Sequence, residues 1–333
     1  MNMKLTVGVI GAGRIGQLHI ENLRHHPNIH IKWISDLYCE KLQGWIQKCG
    51  IEKSTKNHMD IINDSEVDAV IICSPTDTHV DIIKNACEQG KHIFCEKPIS
   101  LTLEASLEAV EAVQKAGVKL QMGFNRRFDR NFAQVHNYLK AHRLGAVQSL
   151  RITSRDPEPP PLAYIEHSGG LFMDMSIHDF DMARYLMQCE VTEVYAQGAA
   201  LVNPEIKTVG DIDTAVITLT FENGAMCVIE NCRRSVYGYD QRVEVLGDKG
   251  MISVGNENTN TLTIASAENI AQDNPPHFFL ERYQQAYKDE MEAFIQAIIE
   301  NQDVRCSIED GLNAQQIAVA CKTSLETGQP VKF

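Results

Sequence analysis

Residues 5–16 read LTVGVIGAGRIG, and this stretch decides how the first part of the chain folds. A short β-branched run ends at Ile10, and the pattern G-x-G-x-x-G follows at once, from Gly11 to Gly16. Apolar residues at helical spacing come next, so the glycines lie between a predicted strand and a predicted helix. The stretch therefore predicts the first strand–turn–helix unit of a dinucleotide-binding domain.

Each glycine has a separate role in such a turn. Gly11 permits the tight turn, Gly13 lets the backbone approach a pyrophosphate, and Gly16 lets the helix pack closely on the strand. The helix N-terminus attracts the phosphate charge. Asp36 ends the next predicted strand, 20 residues beyond Gly16, where a carboxylate can accept from both ribose hydroxyls. It would repel a 2′-phosphate, and no arginine follows it, so the sequence favours NAD over NADP.

The alternation of strands and helices continues to residue 124. Apolar runs at 68–74, 92–94 and 120–124 are typical of buried parallel strands, and helical segments separate them. The pattern predicts an α/β fold with a doubly wound parallel sheet in residues 1–124. Ser74, Thr76, Glu96 and Lys97 fall at carboxyl ends of strands, where such folds bind ligands.

Lys97 stands between Glu96 and Pro98 at the end of one of these strands. Pro98 bends the chain there, and an X-Pro bond in a tight turn can be cis. Such a turn would direct the lysine ammonium out at the carboxyl edge of the sheet. The alternative reading is an ordinary exposed lysine before a proline that leads into a helix.

From Asn125 the pattern changes to strands joined by hairpins. Segments 193–200, 214–221, 225–230 and 242–246 alternate with period two, and Asn223-Gly224 is a hairpin signal. Helices are predicted at 131–142, 281–300 and 308–327. We therefore expect a second, α+β domain over residues 125–333 with an open, mainly antiparallel sheet. A sheet with a free face usually packs on a partner, which favours a homo-oligomer.

A second polar cluster lies on a helix predicted from Leu171 to Met187. Asp174, His178 and Asp181 are spaced i, i+4 and i+7, which places them on one helical face. A carboxylate one turn from an imidazole can hydrogen-bond to it and determine its tautomer. The pair is a candidate general base for an alcohol. A polar helix face with a satisfied histidine is the alternative.

Bulk composition argues against several classes of protein. The net charge of −13 leaves no basic stripe for nucleic acid or for an anionic membrane surface. No apolar run approaches the roughly 18 residues that cross a bilayer, and we recognise no signal peptide. Ten cysteines contain no C-x-x-C pair, which favours reduced thiols in a cytoplasmic protein without a zinc site.

Together these motifs resemble one family, the Gfo/Idh/MocA oxidoreductases. The matching motifs are GAGRIG, Asp36, SPTDTH at 74–79, EKP at 96–98, GFNRRF at 123–128 and GGLFMDMSIHDFD at 169–181. The resemblance implies an N-terminal Rossmann domain, a C-terminal α/β domain and NAD as cofactor. Segments 154–157, 237–242 and 278–283 are similar to the inositol 2-dehydrogenase branch. That similarity implies oxidation of a cyclic polyol, myo- or scyllo-inositol, by a cytoplasmic homotetramer.

The resemblance also implies roles for individual residues. Lys97, Asp174 and His178 would carry catalysis and contact the substrate, and either Lys97 or His178 would remove the hydroxyl proton. The cofactor-binding residues would be Gly11, Gly13, Arg14, Ile15, Gly16, Asp36, Ser74, Thr76, His79, Glu96 and Lys97. The remaining substrate-binding residues would be Arg127, Arg155, Tyr237 and Tyr283, and no metal is expected.

Three other functions are compatible with parts of the sequence. A dehydrogenase for a pyranose sugar could use the same pocket residues. A non-catalytic NAD-binding regulator has no physical need for Lys97, Asp174 and His178 together. An enzyme with a cysteine nucleophile would need a base paired with its thiol, and no motif supplies that pair.

Overall fold

The first part of the chain alternates strands and helices, as its sequence predicts. The computed structural model describes residues 4–333. Its first elements are β1 (Leu5–Ile10), α1 (Arg14–Leu23), β2 (Ile29–Ser35), α2 (Gln43–Lys48), β3 (Lys53–Thr55), α3 (Met59–Ile62), β4 (Ala69–Ile72), α4 (His79–Glu88), β5 (His92–Glu96), α5 (Leu103–Ala116) and β6 (Leu120–Gly123). The six strands pair in parallel in the order β3-β2-β1-β4-β5-β6. This order confirms the predicted Rossmann sheet.

The rest of the chain contains a second large sheet and the remaining helices. The elements are α6 (Arg130–Lys140), β7 (Val147–Arg155), α7 (Leu162–Ser168), a π-helical turn (Phe172–Ser176), α8 (Ile177–Met187), β8 (Val191–Ala199), β9 (Thr214–Phe221), β10 (Met226–Cys232), β11 (Asp240–Gly247), β12 (Gly250–Val254), β13 (Thr263–Ala265), β14 (Ile270–Gln272), α9 (Phe279–Arg282), α10 (Gln284–Ile299), α11 (Ile308–Thr327) and β15 (Val331–Lys332).

The second sheet has seven strands in the order β12-β11-β7-β10-β9-β8-β15. Adjacent strands in this sheet are antiparallel, except for β7 and β10, which are parallel to each other. The predicted hairpin at Asn223-Gly224 joins β9 to β10, and Gly224 has the positive φ of 83° that such a turn requires. The mixed, mainly antiparallel sheet confirms the predicted fold class.

The described residues form two compact units. The first contains residues up to Phe128 together with Gln285–Asn313, and the second contains Asp129–Gln284 and Ala314–Phe333. This division differs from the predicted one, which placed everything after residue 124 in the second domain. The physical reason is that Met291, Phe294 and Ile295 of α10 pack into the apolar core of the Rossmann unit.

In residues 4–333 no helix combines the length and the apolar character needed to cross a membrane.

Candidate active site

The glycine-rich turn after β1 has the geometry that a close approach requires. Gly11 adopts a φ of +94°, and a Cβ atom there would lie 2.5 Å from the amide nitrogen of Ser74. A Cβ atom on Gly16 would overlap the carbonyl oxygen of Gly11. By contrast, a Cβ atom on Gly13 would meet no atom within 4 Å. Packing of the protein therefore requires Gly11 and Gly16, while Gly13 borders open space at the N-terminus of α1, where a pyrophosphate would bind.

Asp36 follows β2, and backbone amides hold its carboxylate beside this turn. Oδ2 accepts from the backbone nitrogen of Ala12 over 2.8 Å, and Oδ1 accepts from that of Tyr38 over 2.7 Å. Each oxygen keeps lone-pair capacity for a ribose hydroxyl. The side chain is only half-buried, so the residues present fit the adenosine ribose of NAD.

His79, which begins α4, connects two loops at the same sheet edge. The ring is 1% exposed, with Nδ1 2.9 Å from the Pro98 carbonyl oxygen and Nε2 2.9 Å from the Ser74 carbonyl oxygen. Burial lowers the pKa of His79, although the two carbonyl contacts act in the opposite direction. Because backbone carbonyls face both nitrogens, the predicted contact with the cofactor gains no support, and the ring instead ties the Ser74 loop to the Pro98 turn.

The Lys97 turn follows β5 at this edge, as expected. The Lys97–Pro98 peptide bond is cis, and Lys97 is partly exposed. The neighbouring Glu96 points into the unit, where its Oε1 lies 2.9 Å from Nε2 of the buried His19 on α1. The structure thus brings the Gly11 turn, Asp36, the Ser74 loop and Lys97 to one edge of one sheet, whereas Glu96 mainly faces the protein interior.

Glu96 also belongs to a group that the sequence did not reveal. His19, Glu96 and Glu290 offer side-chain nitrogen and oxygen atoms that lie within 4.8 Å of one another. Such a donor set could hold a metal ion or a proton. Glu290 comes from α10, so its sequence position gave no signal that it joins the Rossmann unit.

In the second unit, Asp174 lies in the π-helical turn and not in the continuous α-helix predicted from Leu171 to Met187. A π-turn holds more residues than an α-turn, so the predicted i, i+4, i+7 stripe of Asp174, His178 and Asp181 does not run through it unchanged. Short π-helical turns of this kind frequently occur at functional sites.

Two side chains from other elements hold the Asp174 carboxylate. Arg233, which is 1% exposed, donates from Nη1 and Nη2 to Oδ2 over 3.2 and 3.1 Å. The Tyr164 hydroxyl on α7 donates to Oδ1 over 2.9 Å. Neither Arg233 nor Tyr164 is among the site residues predicted from the sequence. The available signal was that Arg233 directly follows a strand end, where functional side chains are common.

The residue after His178 anchors α8 to the sheet beneath it. Asp179 is fully buried, and it accepts from Ser154 Oγ over 2.5 Å and from Asn231 Nδ2 over 2.7 Å. Ser154 and Asn231 lie on the neighbouring parallel strands β7 and β10. These hydrogen bonds fix the position of α8 on the sheet and therefore the position of His178, which belongs to this helix.

Arg155 and Tyr237, both predicted to bind substrate, are direct neighbours. Arg155 Nη1 donates to the Tyr237 hydroxyl over 2.8 Å, and Arg155 Nε donates to Glu230 over 3.1 Å. The Tyr237 hydroxyl donates to Asp240 over 2.6 Å. Burial alone would raise the pKa of Asp240, but hydrogen bonds from Arg242, Tyr237 and an asparagine outweigh it and lower that pKa.

The other two predicted pocket residues have protein partners of their own. In the first unit, Arg127 donates from Nη1 to the Arg305 carbonyl and to Asp310, each over 3.1 Å. In the second unit, Tyr283 is 1% exposed, and its ring meets Tyr239 edge-on with centroids 5.9 Å apart. Contacts of Arg127 and Tyr283 with a polyol stay predictions.

Comparison with known proteins decides the family. A model described as "Oxidoreductase family, NAD-binding Rossmann fold" matches residues 5–124, and one described as "Oxidoreductase family, C-terminal alpha/beta domain" matches residues 137–333. The chain belongs to the Gfo/Idh/MocA oxidoreductase family. The predicted family and the NAD-binding fold are therefore confirmed.

Relatives of this Gfo/Idh/MocA protein match it along its whole length. It is 52% identical to the uncharacterised oxidoreductase YrbE of Bacillus subtilis, over 100% of this chain and 98% of that protein. It is 46% identical to the myo-inositol 2-dehydrogenase of Thermotoga maritima, over 99% and 98%. The scyllo-inositol dehydrogenase of Lactobacillus casei, solved with NAD(H) and scyllo-inositol, is 29% identical, with a TM-score of 0.92 over 99% of both chains. The chain is thus an NAD-binding oxidoreductase of the inositol dehydrogenase type.

Proposed function

We propose that this protein oxidises one ring hydroxyl of myo-inositol or scyllo-inositol to the keto-inositol, with NAD as the oxidant. The full-length similarity to the myo-inositol 2-dehydrogenase of Thermotoga maritima supports this substrate class. The observation that carries the chemistry is the double anchoring of Asp174 by Arg233 and Tyr164, which holds a carboxylate in one orientation shortly before His178.

In the proposed mechanism, oxidation of the alcohol removes a hydride from its carbon and a proton from its oxygen. NAD, when bound, supplies the hydride acceptor. The hydroxyl proton passes to the imidazole of His178, while the Lys97 ammonium stabilises negative charge on the substrate oxygen, or it passes to Lys97 itself when that side chain is in its amine form. Asp174 orients the reacting groups from its anchored position.

The proposed pocket for the other ring hydroxyls involves Arg155 and Tyr237. Arg155 pairs on β7 with Cys232 on β10, the residue just before Arg233. The Arg155–Tyr237 pair and the anchor of Asp174 therefore meet at the same end of the second sheet. This end combines guanidinium and hydroxyl donors with the carboxylates of Glu230 and Asp240, as recognition of several hydroxyls requires.

The same proposal includes a cytoplasmic homo-oligomer, a tetramer by family resemblance. Apolar side chains on strands of the second sheet support it, because Val216, Met226, Leu246 and Met251 are 43–59% exposed. Analytical ultracentrifugation tests it, with a single species of four chain masses expected and a monomer contradicting it.

A substrate panel tests the function. Purified protein is mixed with NAD or NADP and with myo-inositol, scyllo-inositol, glucose or xylose, and the near-ultraviolet absorbance of the reduced cofactor is followed. We expect reduction of NAD with an inositol. Activity with a pyranose alone would replace the polyol by a sugar. NAD binding without turnover on any of the four would count against catalysis of this kind.

A further inference from the structure

A buried group of polar side chains lies under the Lys97 turn in the first unit. We call it the Glu290 cluster, and it consists of His19, Glu96, Gln121 and Glu290. All except Glu96 are 0% exposed, and the Glu96 side chain is 15% exposed. Within the described residues, neither carboxylate oxygen of Glu290 has a hydrogen-bond partner, and the same holds for His19 Nδ1 and Gln121 Oε1. The buried polar atoms therefore need a further proton or ligand.

This buried site does not accommodate two ionised carboxylates. His19 Nε2 lies 2.9 Å from Oε1 of Glu96, a distance at which Nε2–H can donate to this carboxylate. Glu290 supplies a second carboxylate, one oxygen of which lies within 4.8 Å of a ring nitrogen of His19 and of a carboxylate oxygen of Glu96. A buried ionised carboxylate without a partner is strongly unfavourable, so the second charge must be removed by a proton or balanced by a cation.

We propose that Glu290 carries a proton at neutral pH and that it positions the His19–Glu96 pair beneath the Lys97 turn. With Nε2–H of His19 donating to Glu96, the neutral ring leaves Nδ1 as an acceptor. The carboxylic acid of Glu290 is the donor that can serve this acceptor, directly or through one water. The chain of donors then runs from α10 through α1 to β5, one residue before Lys97.

The surroundings of Glu290 support a neutral acid. Burial raises the pKa of Glu290 well above its ordinary range, and the charge of Glu96 raises it further. The other titratable groups nearby are the thiols of Cys73 and Cys95, whose pKa values burial also raises, and Tyr287, whose ring lies 5.8 Å from that of His19. Uncharged thiols do not stabilise a second carboxylate.

The decisive variant is Glu290→Gln, because glutamine mimics the neutral acid but cannot ionise. If the pKa of Glu290 is higher in the folded than in the unfolded protein, its contribution to the free energy of unfolding is fully present below about pH 4.5. This contribution is lost as the pH rises toward the pKa that Glu290 has in the folded protein. We expect the unfolding constant of the wild type, relative to E290Q, to rise up to about tenfold per pH unit between pH 6 and 9 in urea titrations. Asp289→Asn, an exposed neighbour on α10, should follow the wild type.

Parallel pH profiles of the wild type and E290Q would overturn the proposal. So would stoichiometric divalent metal in the purified protein that is lost in E290Q, because a cation would then balance Glu290. Infrared difference spectra give a second readout: the wild type should show a carboxylic acid C=O band at pH 7, and its absence would refute the proposal even if E290Q did not fold.

The link from the cluster to Lys97 rests on the proposed function. If it holds, E290Q keeps kcat within about twofold at neutral pH, while Glu290→Ala lowers kcat more than it changes KM. Equal kcat in both variants would refute the positioning role. The unfolding and infrared measurements need no substrate, so a failure of the inositol assignment stays distinguishable from a failure of the proton assignment.

Discussion

Arg233 donates two hydrogen bonds to a single oxygen of Asp174, over 3.2 and 3.1 Å. The guanidinium is almost fully buried, and 59 residues separate the two in the chain. The orientation of a proposed catalytic carboxylate therefore depends on an arginine that directly follows β10. Breaking a buried pair of this kind by removing one partner costs about 3–5 kcal/mol, because the other charge is left uncompensated.

Replacing Arg233 by methionine should lower both stability and turnover. We expect a loss of about 3 kcal/mol in urea unfolding and a fall in kcat of at least roughly tenfold, since Asp174 loses its anchor. Arg234→Met, at the exposed neighbouring position, is the control and should behave like the wild type. Wild-type kcat in R233M would show that Asp174 does not need this partner.

Alanine at two glycines of the turn should have different effects. Gly13→Ala leaves the fold intact, because the new Cβ meets no protein atom, but it obstructs the pyrophosphate and weakens NAD binding by roughly tenfold or more. Gly16→Ala destabilises the protein itself, because its Cβ overlaps the Gly11 carbonyl. Calorimetry for NAD and thermal unfolding separate the two effects, with Gly44→Ala, also in open space, as control. Unchanged NAD affinity in G13A would contradict the placement of the phosphates.

Asp36→Asn should reduce the preference for NAD over NADP. The change removes the negative charge that strengthens the hydrogen bonds from the ribose hydroxyls and repels a 2′-phosphate. Hydrogen bonds to charged groups contribute about 1.5–3 kcal/mol. We expect the ratio of kcat/KM values for NAD and NADP to fall by roughly tenfold to a hundredfold. Asp77→Asn, on the exposed turn after β4, serves as the control. An unaltered ratio in D36N would mean that other residues select the cofactor.

His79→Gln should alter how stability depends on acid pH. Burial lowers the pKa of His79 below 6.5, so the unfolded state binds the proton more readily. The stabilising effect of the neutral ring is therefore present above pH 6.5 and declines as the pH falls below it. We expect the wild type to lose stability between pH 6.5 and 5 more steeply than H79Q, by up to about 1.4 kcal/mol per pH unit. If the free energy of unfolding had the same pH dependence in the wild type and in H79Q, His79 would bind its proton equally well in the folded and the unfolded protein.

The Rossmann unit was predictable because its signals are local. A β-branched strand, the three glycines and Asp36 stand within about thirty residues of each other, and each has a separate steric or electrostatic reason. The packing of α10 was not predictable. Its apolar face would suit either sheet, and nothing in residues 284–299 indicates that Met291 and Phe294 pack into the Rossmann core.

The candidate site was predictable only in part, for the same physical reason. Lys97, Asp174 and His178 carry recognisable chemistry in recognisable motifs. The contacts that hold site residues in place join distant segments of the chain: Arg233 contacts Asp174, and Asp310 contacts Arg127. The π-helical turn was missed because helical spacing alone does not show where a turn widens.

The rate of NADH formation with myo-inositol and scyllo-inositol, measured for the wild type and for Lys97→Ala, tests the proposed dehydrogenase mechanism most directly. We predict turnover of at least one inositol by the wild type and a fall in kcat of roughly a hundredfold to ten-thousandfold in K97A, with NAD affinity largely unchanged. Near-wild-type kcat in K97A, or loss of NAD binding with intact turnover at saturation, would contradict the proposed catalytic role of Lys97.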